Sequence, residues 1–317
     1  MSEAIAFTLL GLLFLALGGD SLVKGAAGLA QGLRIPRFAI GLCLVAVATS
    51  LPELAVNARA VASGDRALAL GNAVGSNIAN IGLTLGLAAL AAPLVLRWRV
   101  LSPLLAVLLL AMLGVVLLSL DGGLSRIEGL AMLLAFAGVV AFTAMRADDE
   151  SPEVREEVDA FTATRGGLGL NLLRVAVAAV LLWFGAGWIV AQVPVIGHAL
   201  GMDSLVAGLV LVAIGTALPE VAAAVAAARR GQGDIVAGHV IGSSVFNLLL
   251  VLGGMAAVGG TVPVPASFVR LELPVAFLFA LLLVPLLRGS TTLSRGEGGL
   301  LLAAFAAWVV LEFALLG

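Results

Sequence analysis

Residues 41–86 read GLCLVAVATSLPELAVNARAVASGDRALALGNAVGSNIANIGLTLG, and residues 208–253 read GLVLVAIGTALPEVAAAVAAARRGQGDIVAGHVIGSSVFNLLLVLG. The two stretches align without a gap at an offset of 167, and about 19 of their 46 positions are identical. The shared letters include Thr49/Thr216, Pro52/Pro219, Glu53/Glu220, Ser76/Ser243 and Asn80/Asn247. A carboxylate, a helix-breaking proline, a hydroxyl and an amide therefore recur inside apolar segments of both halves. Ionisable side chains at membrane depth are costly and mark functional sites. Repeated in two halves, they point to a two-fold-related ion site near the middle of a membrane.

Composition agrees. The chain is 62% hydrophobic and 11% charged over 317 residues, with a mean hydropathy of +1.18. Soluble domains are about 25% charged, and this much apolar surface does not fit inside one water-soluble core. The apolar stretches run continuously for about 17–25 residues without strict alternation, which argues for helices and against a β-barrel. The expected fold is all-α, a polytopic protein whose main partner is the lipid bilayer. The net charge of −2 lies in the loops and gives no sign of a nucleic-acid partner. Cys43 is the one cysteine, so an intrachain disulfide is excluded. The N-terminal stretch AIAFTLLGLLFLALGG has the length of a signal-peptide core. No Lys or Arg precedes it, and it holds the place that residues 170–188 hold in the second half. A retained first helix is expected.

Ten apolar segments follow one another: near 4–30, 38–62, 69–92, 101–120 and 127–146, then near 171–192, 205–229, 234–258, 271–287 and 297–316. The chain divides into a first five-helix repeat (1–146), an acidic linker (147–170) containing DDESPEVREEVDA, and a second five-helix repeat (171–317). Five is odd, so the second repeat enters the membrane from the opposite side and the repeats are inverted. If the helix ends alternate sides strictly, 13 Lys and Arg residues fall on one side and 4 on the other. The positive-inside rule makes the richer side, linker included, cytoplasmic. It leaves both termini extracytoplasmic, in a multi-pass protein of the inner (plasma) membrane.

TSLPE (Thr49 to Glu53) and TALPE (Thr216 to Glu220) each fall in the middle of an apolar segment. Proline lacks an amide hydrogen, so Pro52 and Pro219 are expected to free the carbonyls of Ala48 and Gly215. Free carbonyls at membrane depth belong where they line a cavity or meet a cation. Each proline is followed by a glutamate. In GSNIAN and GSSVFN, Ser76 and Asn80, and likewise Ser243 and Asn247, are four apart and share a helix face. Gly71 and Gly75, and Gly238 and Gly242, repeat at the same spacing and would admit close helix contacts. Converged, these residues offer two carboxylates, two amide oxygens, several hydroxyls and loosened carbonyls, with no sulfur or imidazole. Such an all-oxygen set suits Ca²⁺, which takes 6–8 oxygens at about 2.3–2.6 Å. Two glutamates also balance two Na⁺.

The paired motifs ATSLPE with GNAVGSNIAN, and GTALPE with GHVIGSSVFN, resemble the two α-repeats of the cation/calcium exchanger superfamily, and most nearly its prokaryotic sodium/calcium exchangers. The resemblance implies that Glu53 and Glu220 coordinate Ca²⁺ and Na⁺, with hydroxyls from Thr49, Ser50, Thr216, Ser76 and Ser243 and the amide of Asn80. It places ion-binding carbonyls near Ala46 and Ala213, and suggests helices 1 and 6 as a sliding pair, with Gly18, Gly19, Gly185 and Gly187 allowing close contact. Two positions depart from the fullest pattern. Ala217 stands where some members have a serine, and Asn247 where some have an aspartate. Both leave the site more neutral.

Other polar residues are assigned plainer roles. Asp20 and Lys24 are four apart and form a local ion pair. Asn72 and Asn77 face other helices or a helix start. His198 and His239 sit in loops or at helix ends and bind no metal. Glu272 and Glu312 lie near helix ends and snorkel to the interface. The acidic linker lacks the spaced ligands and glycine of an EF-hand loop.

The expected function is antiport of Ca²⁺ against Na⁺ by alternating access, without enzymatic chemistry or a resident cofactor. A Ca²⁺/H⁺ or K⁺-dependent exchanger using the same glutamates is the alternative. A passive channel is disfavoured by the inverted, broken-helix plan. An intramembrane aspartyl protease is disfavoured because the repeated acids are glutamates.

Overall fold

In lipid, each backbone amide and carbonyl must be satisfied within its own segment, so long apolar runs become helices. This computed structural model describes residues 1–32, 50–146, 166–289 and 292–315. Its helices are α1 (Ser2–Gly32), α2 (Leu51–Ala62), α3 (Arg66–Ala91), α4 (Trp98–Leu118), α5 (Arg126–Arg146), α6 (Leu168–Ala199), α7 (Ser204–Arg229), α8 (Gly233–Gly259), α9 (Ala266–Arg288) and α10 (Arg295–Leu315). Among the described residues nine are long and apolar enough to cross a membrane. The tenth, α2, follows residues 33–49, which lie outside the described part, as does most of the acidic linker (147–165).

Inversion is legible in the connections. Strand β1 (Leu94–Val95), between α3 and α4, pairs with β4 (Thr292–Leu293), between α9 and α10. Strand β2 (Gly123–Leu124), between α4 and α5, pairs with β3 (Val262–Pro263), between α8 and α9. Each pair joins the third connection of one repeat to the fourth connection of the other. The two pairs stand at opposite ends of α4, so equivalent connections of the two repeats lie on opposite sides.

The same relation governs α3 and α8, which cross the centre. About 83% of the α3 span and 72% of the α8 span are buried, against 11% for α5 at the periphery. At one end the Arg66 side chain, starting α3, donates to the carbonyl of Gly259, ending α8. At the other, Arg97 beyond α3 meets Asp234 at the start of α8, with Nε 2.5 Å from Oδ2. Helices α5 and α10 open with equivalent capping boxes. The Glu128 carboxylate accepts from the Ser125 amide at 2.7 Å, and Glu297 from Ser294 at 2.7 Å.

Both central helices widen at the repeated asparagine. Residues Asn80–Leu85 and Asn247–Leu252 form π-helical turns at the same offset of 167. Such turns cluster at functional sites because they re-aim side chains. A third covers Ala207–Val212, just before the second LPE motif.

Outside this centre, α1 and α6 lie against each other along their length. A Cβ on Gly11 would stand 3.0 Å from the Gly185 carbonyl, and one on Gly18 3.0–3.2 Å from Leu181 and Leu182. Their outward faces carry exposed Leu9, Leu13, Leu172 and Trp183, a surface suited to lipid. The expected Asp20–Lys24 pair is present at 2.7 Å on exposed side chains.

Candidate functional site

Helix α2 begins at Leu51, with Ser50 at its N-cap and Pro52 in its first turn. Proline is suited there, since the first-turn amides have no partner within the helix. The expectation of a proline in mid-helix is therefore corrected for the first half, where the described helix starts beside the motif. In the second half it holds. Helix α7 continues through Pro219, which removes the amide that would bond the Gly215 carbonyl. Thr49 and Ala46, and the carbonyl of Ala48, lie outside the described residues.

Directly after each proline, Glu53 and Glu220 are buried, 1% and 2% exposed. The two carboxylates lie within electrostatic reach of each other, and the Thr216 hydroxyl sits beside Glu53. Ser243 Oγ donates to Glu220 Oε1 at 3.0 Å. The same Oγ lies 2.5 Å from Ser50 Oγ and accepts from Asn80 Nδ2 at 3.2 Å. Four predicted residues from four helices, Ser50, Asn80, Glu220 and Ser243, thus form one connected cluster. Several buried polar atoms around it have no hydrogen-bond partner among the described residues: both oxygens of Glu53, Glu220 Oε2, Asn80 Oδ1 and Asn247 Oδ1. Buried acceptors are normally paired. A group of five lone acceptor oxygens, two carboxylates among them, is a fitting surface for a cation.

The halves are not equal. Ser76 Oγ turns to Asn72 Oδ1 at 3.4 Å on its own helix, and Asn72 Nδ2 donates to Asn57 Oδ1 at 2.7 Å on α2. The structure does not bring Ser76 to Glu53 as it brings Ser243 to Glu220. Thr216 Oγ1 bonds back to the carbonyls of Val212 and Ala213 at 3.1 and 3.4 Å. Ala213, named for its carbonyl, is buried at the end of the π-turn. Asn77 donates to the Ala73 carbonyl of its own helix at 2.7 Å.

Close packing lets these helices converge. A Cβ on Gly71 would lie 2.0 Å from the Leu205 carbonyl oxygen, and one on Gly75 2.1 Å from that of Leu209. Gly208 answers from α7 against the Leu68 carbonyl at 2.1 Å. The positions that would meet Gly238 and Gly242 in the same way, 38 and 42, lie outside the described residues. Gly187, expected in the α1–α6 contact, faces Arg59 instead.

Two expectations are overturned. His239 is not in a loop or at a helix end. It lies within α8, one turn before Ser243 on the same face, with Nε2 3.9 Å from Glu220 Oε1. The four-residue spacing that grouped Ser76 with Asn80 also reaches His239. Glu272 and Glu312 do not snorkel; they are 8% and 2% exposed. Glu312 shares the buried face of α10 with Leu301, Phe305 and Trp308, and proximity to a helix end does not override that periodicity.

The profile of the sodium/calcium exchanger protein family matches residues 3–145 and 170–314. Inner membrane protein YrbG of Escherichia coli is 35% identical over 322 residues, covering 99% of this chain and 98% of its own. Sodium/calcium exchanger MaX1 of Methanosarcina acetivorans is 29% identical over 340 residues, covering 96% and 97%. A solved structure of the sodium-calcium exchanger NCX_Mj, soaked with Na⁺ and Sr²⁺, matches with a TM-score of 0.66 and 30% identity over 97% of this chain and 98% of that one. With likeness running through both repeats and nearly the full length of each relative, the chain belongs to the sodium/calcium exchanger protein family.

Proposed function

We propose that this cation exchanger moves Ca²⁺ out of the cell against inward Na⁺, by alternating access, at a midplane site centred on Glu53 and Glu220. The observation that carries the reading is the meeting of the two repeats at Ser50, Asn80, Ser243 and Glu220, ringed by buried acceptors that have no partner among the described residues. Two facing carboxylates in a low-dielectric interior are mutually repulsive, and an ion of charge +2, or two of +1, relieves that repulsion. Ca²⁺ and Na⁺ then compete for overlapping oxygens of Glu53, Glu220, Ser50, Thr216, Ser243, Asn80 and Asn247, with carbonyls near Ala46 and Ala213 and the Thr49 hydroxyl.

An empty site leaves carboxylate charge exposed to apolar surroundings, which opposes reorientation without cargo and makes the cycle an exchange. Inverted repeats supply the two access states: whatever geometry one half adopts on one side, the other adopts on the opposite side. The glycine-lined contact between α1 and α6 is a sliding surface of small residues for that exchange of states. The charge bias of the loops sets both termini on the extracytoplasmic side.

The test is Ca²⁺ uptake into proteoliposomes loaded with Na⁺ and diluted into Na⁺-free medium, compared with vesicles carrying only a pH gradient or K⁺. Uptake that requires the outward Na⁺ gradient is the expected result. Uptake driven by the pH gradient without Na⁺ makes protons the counter-ion, and a requirement for K⁺ makes it a co-substrate.

A further inference from the structure

The two halves differ most next to the glutamates. Where the first repeat has Asn72, the second has His239, and where the first has Asn57, the second has Ala224. In the first half the amides of Asn57 and Asn72 bind each other, and Ser76 is held to them. In the second half the alanine offers no such partner. The imidazole instead stands with Nε2 3.9 Å from Glu220 Oε1, the oxygen that also receives Ser243. Its side chain is 8% exposed, so it is enclosed with the site.

Two donors 3.9 Å apart are close enough to share one ion, since metal–imidazole and metal–carboxylate bonds are each about 2.0–2.2 Å for small divalent ions. Imidazole suits borderline transition ions, whereas Ca²⁺ prefers an all-oxygen shell. We propose that His239 Nε2 and Glu220 form a nitrogen–oxygen edge of the transport site, so that the site takes first-row divalent transition ions in addition to Ca²⁺. This rests on the reading of Glu220 as part of the ion site.

The experiment uses the full chain, purified in detergent, with substoichiometric Mn²⁺ as the probe and pulsed electron paramagnetic resonance as the readout. The expected spectrum shows nitrogen coupling from one imidazole, which excess Ca²⁺ abolishes by displacing the ion. In His239→Asn, which installs the first repeat's residue, the coupling disappears and Mn²⁺ affinity falls about tenfold or more. The ratio of Mn²⁺ to Ca²⁺ affinity falls with it, because oxygens dominate the Ca²⁺ shell. His239→Gln, of closer length, repeats the measurement on a second folded variant, with elution volume in size exclusion as the check. Displaceable Mn²⁺ without nitrogen coupling, or coupling that survives both substitutions, overturns the role of His239 and leaves the glutamate site standing. Mn²⁺ that resists Ca²⁺ and still binds Glu220→Gln overturns both.

Discussion

Ser50 and Ser243 come from opposite repeats, 193 residues apart in sequence, and their hydroxyl oxygens lie 2.5 Å apart in the centre of the protein. Ser243 is the hub of this contact, because it also donates to Glu220 and accepts from Asn80. Its first-half equivalent, Ser76, reaches only Asn72 among the described residues. Ser243→Ala is therefore expected to weaken Ca²⁺ binding about tenfold, as for loss of a hydrogen bond to a charged group worth about 1.5 kcal/mol. Ser76→Ala should change it by less than about threefold, about 0.6 kcal/mol for a neutral bond. Titration calorimetry on the two variants checks the order; equal losses would contradict the asymmetry.

Gly75 sets the approach of α3 to α7. A Cβ there meets the Leu209 carbonyl at 2.1 Å, and a backbone atom cannot swing away. Gly75→Ala is expected to destabilise the protein by about 1–3 kcal/mol or more, the range for overpacking. Gly114→Ala in α4 is the control, since no described residue lies within 4 Å of a Cβ placed there. Thermal unfolding in detergent should show a lowered midpoint for the first and no loss for the second.

The α1–α6 surface tests motion separately from binding. A Cβ on Gly18 already sits 3.0–3.2 Å from Leu181 and Leu182, so a larger side chain grips α6. Gly18→Leu is expected to slow exchange by about tenfold or more, a barrier increase of about 1.4 kcal/mol, while Ca²⁺ affinity stays within about twofold of the parent. Parallel uptake and binding assays distinguish this from loss of the site, which would lower both.

The Asn57–Asn72 pair is buried and mutually bonded at 2.7 Å. Asn57→Ala strands one buried amide and should cost about 1–3 kcal/mol. The double substitution Asn57→Ala, Asn72→Ala removes both groups and should recover part of that loss. A double-mutant cycle by thermal unfolding measures the coupling.

The repeat made the architecture legible, because an odd number of helices per repeat forces inversion and the doubled LPE and GS motifs mark the centre. What escaped was of four kinds. The π-turns at Asn80 and Asn247 leave no composition signal, since the residues that form them, NIGLTL and NLLLVL, are ordinary apolar runs. The letters shared by the repeats do not mark His239. It is a position where the repeats differ, and only the four-residue spacing to Ser243 pointed inward. For Glu272 and Glu312, nearness to a helix end points to the interface, whereas the face of the helix decides burial. The bonding of Ser76 to Asn72, and not to Glu53, depends on side-chain orientation that a repeat alignment treats as equivalent.

The central claim is that Glu53 and Glu220, one from each repeat, hold the transported Ca²⁺ together. Its most direct test is radioactive-calcium uptake into Na⁺-loaded proteoliposomes for the parent, Glu53→Gln, Glu220→Gln and the double variant, each with a parallel Ca²⁺-binding isotherm. Glutamine keeps the volume and removes the charge. The account requires that each single substitution abolish both saturable binding and Na⁺-driven uptake in protein that still elutes as folded. Uptake in the double variant as fast as in the parent would contradict it.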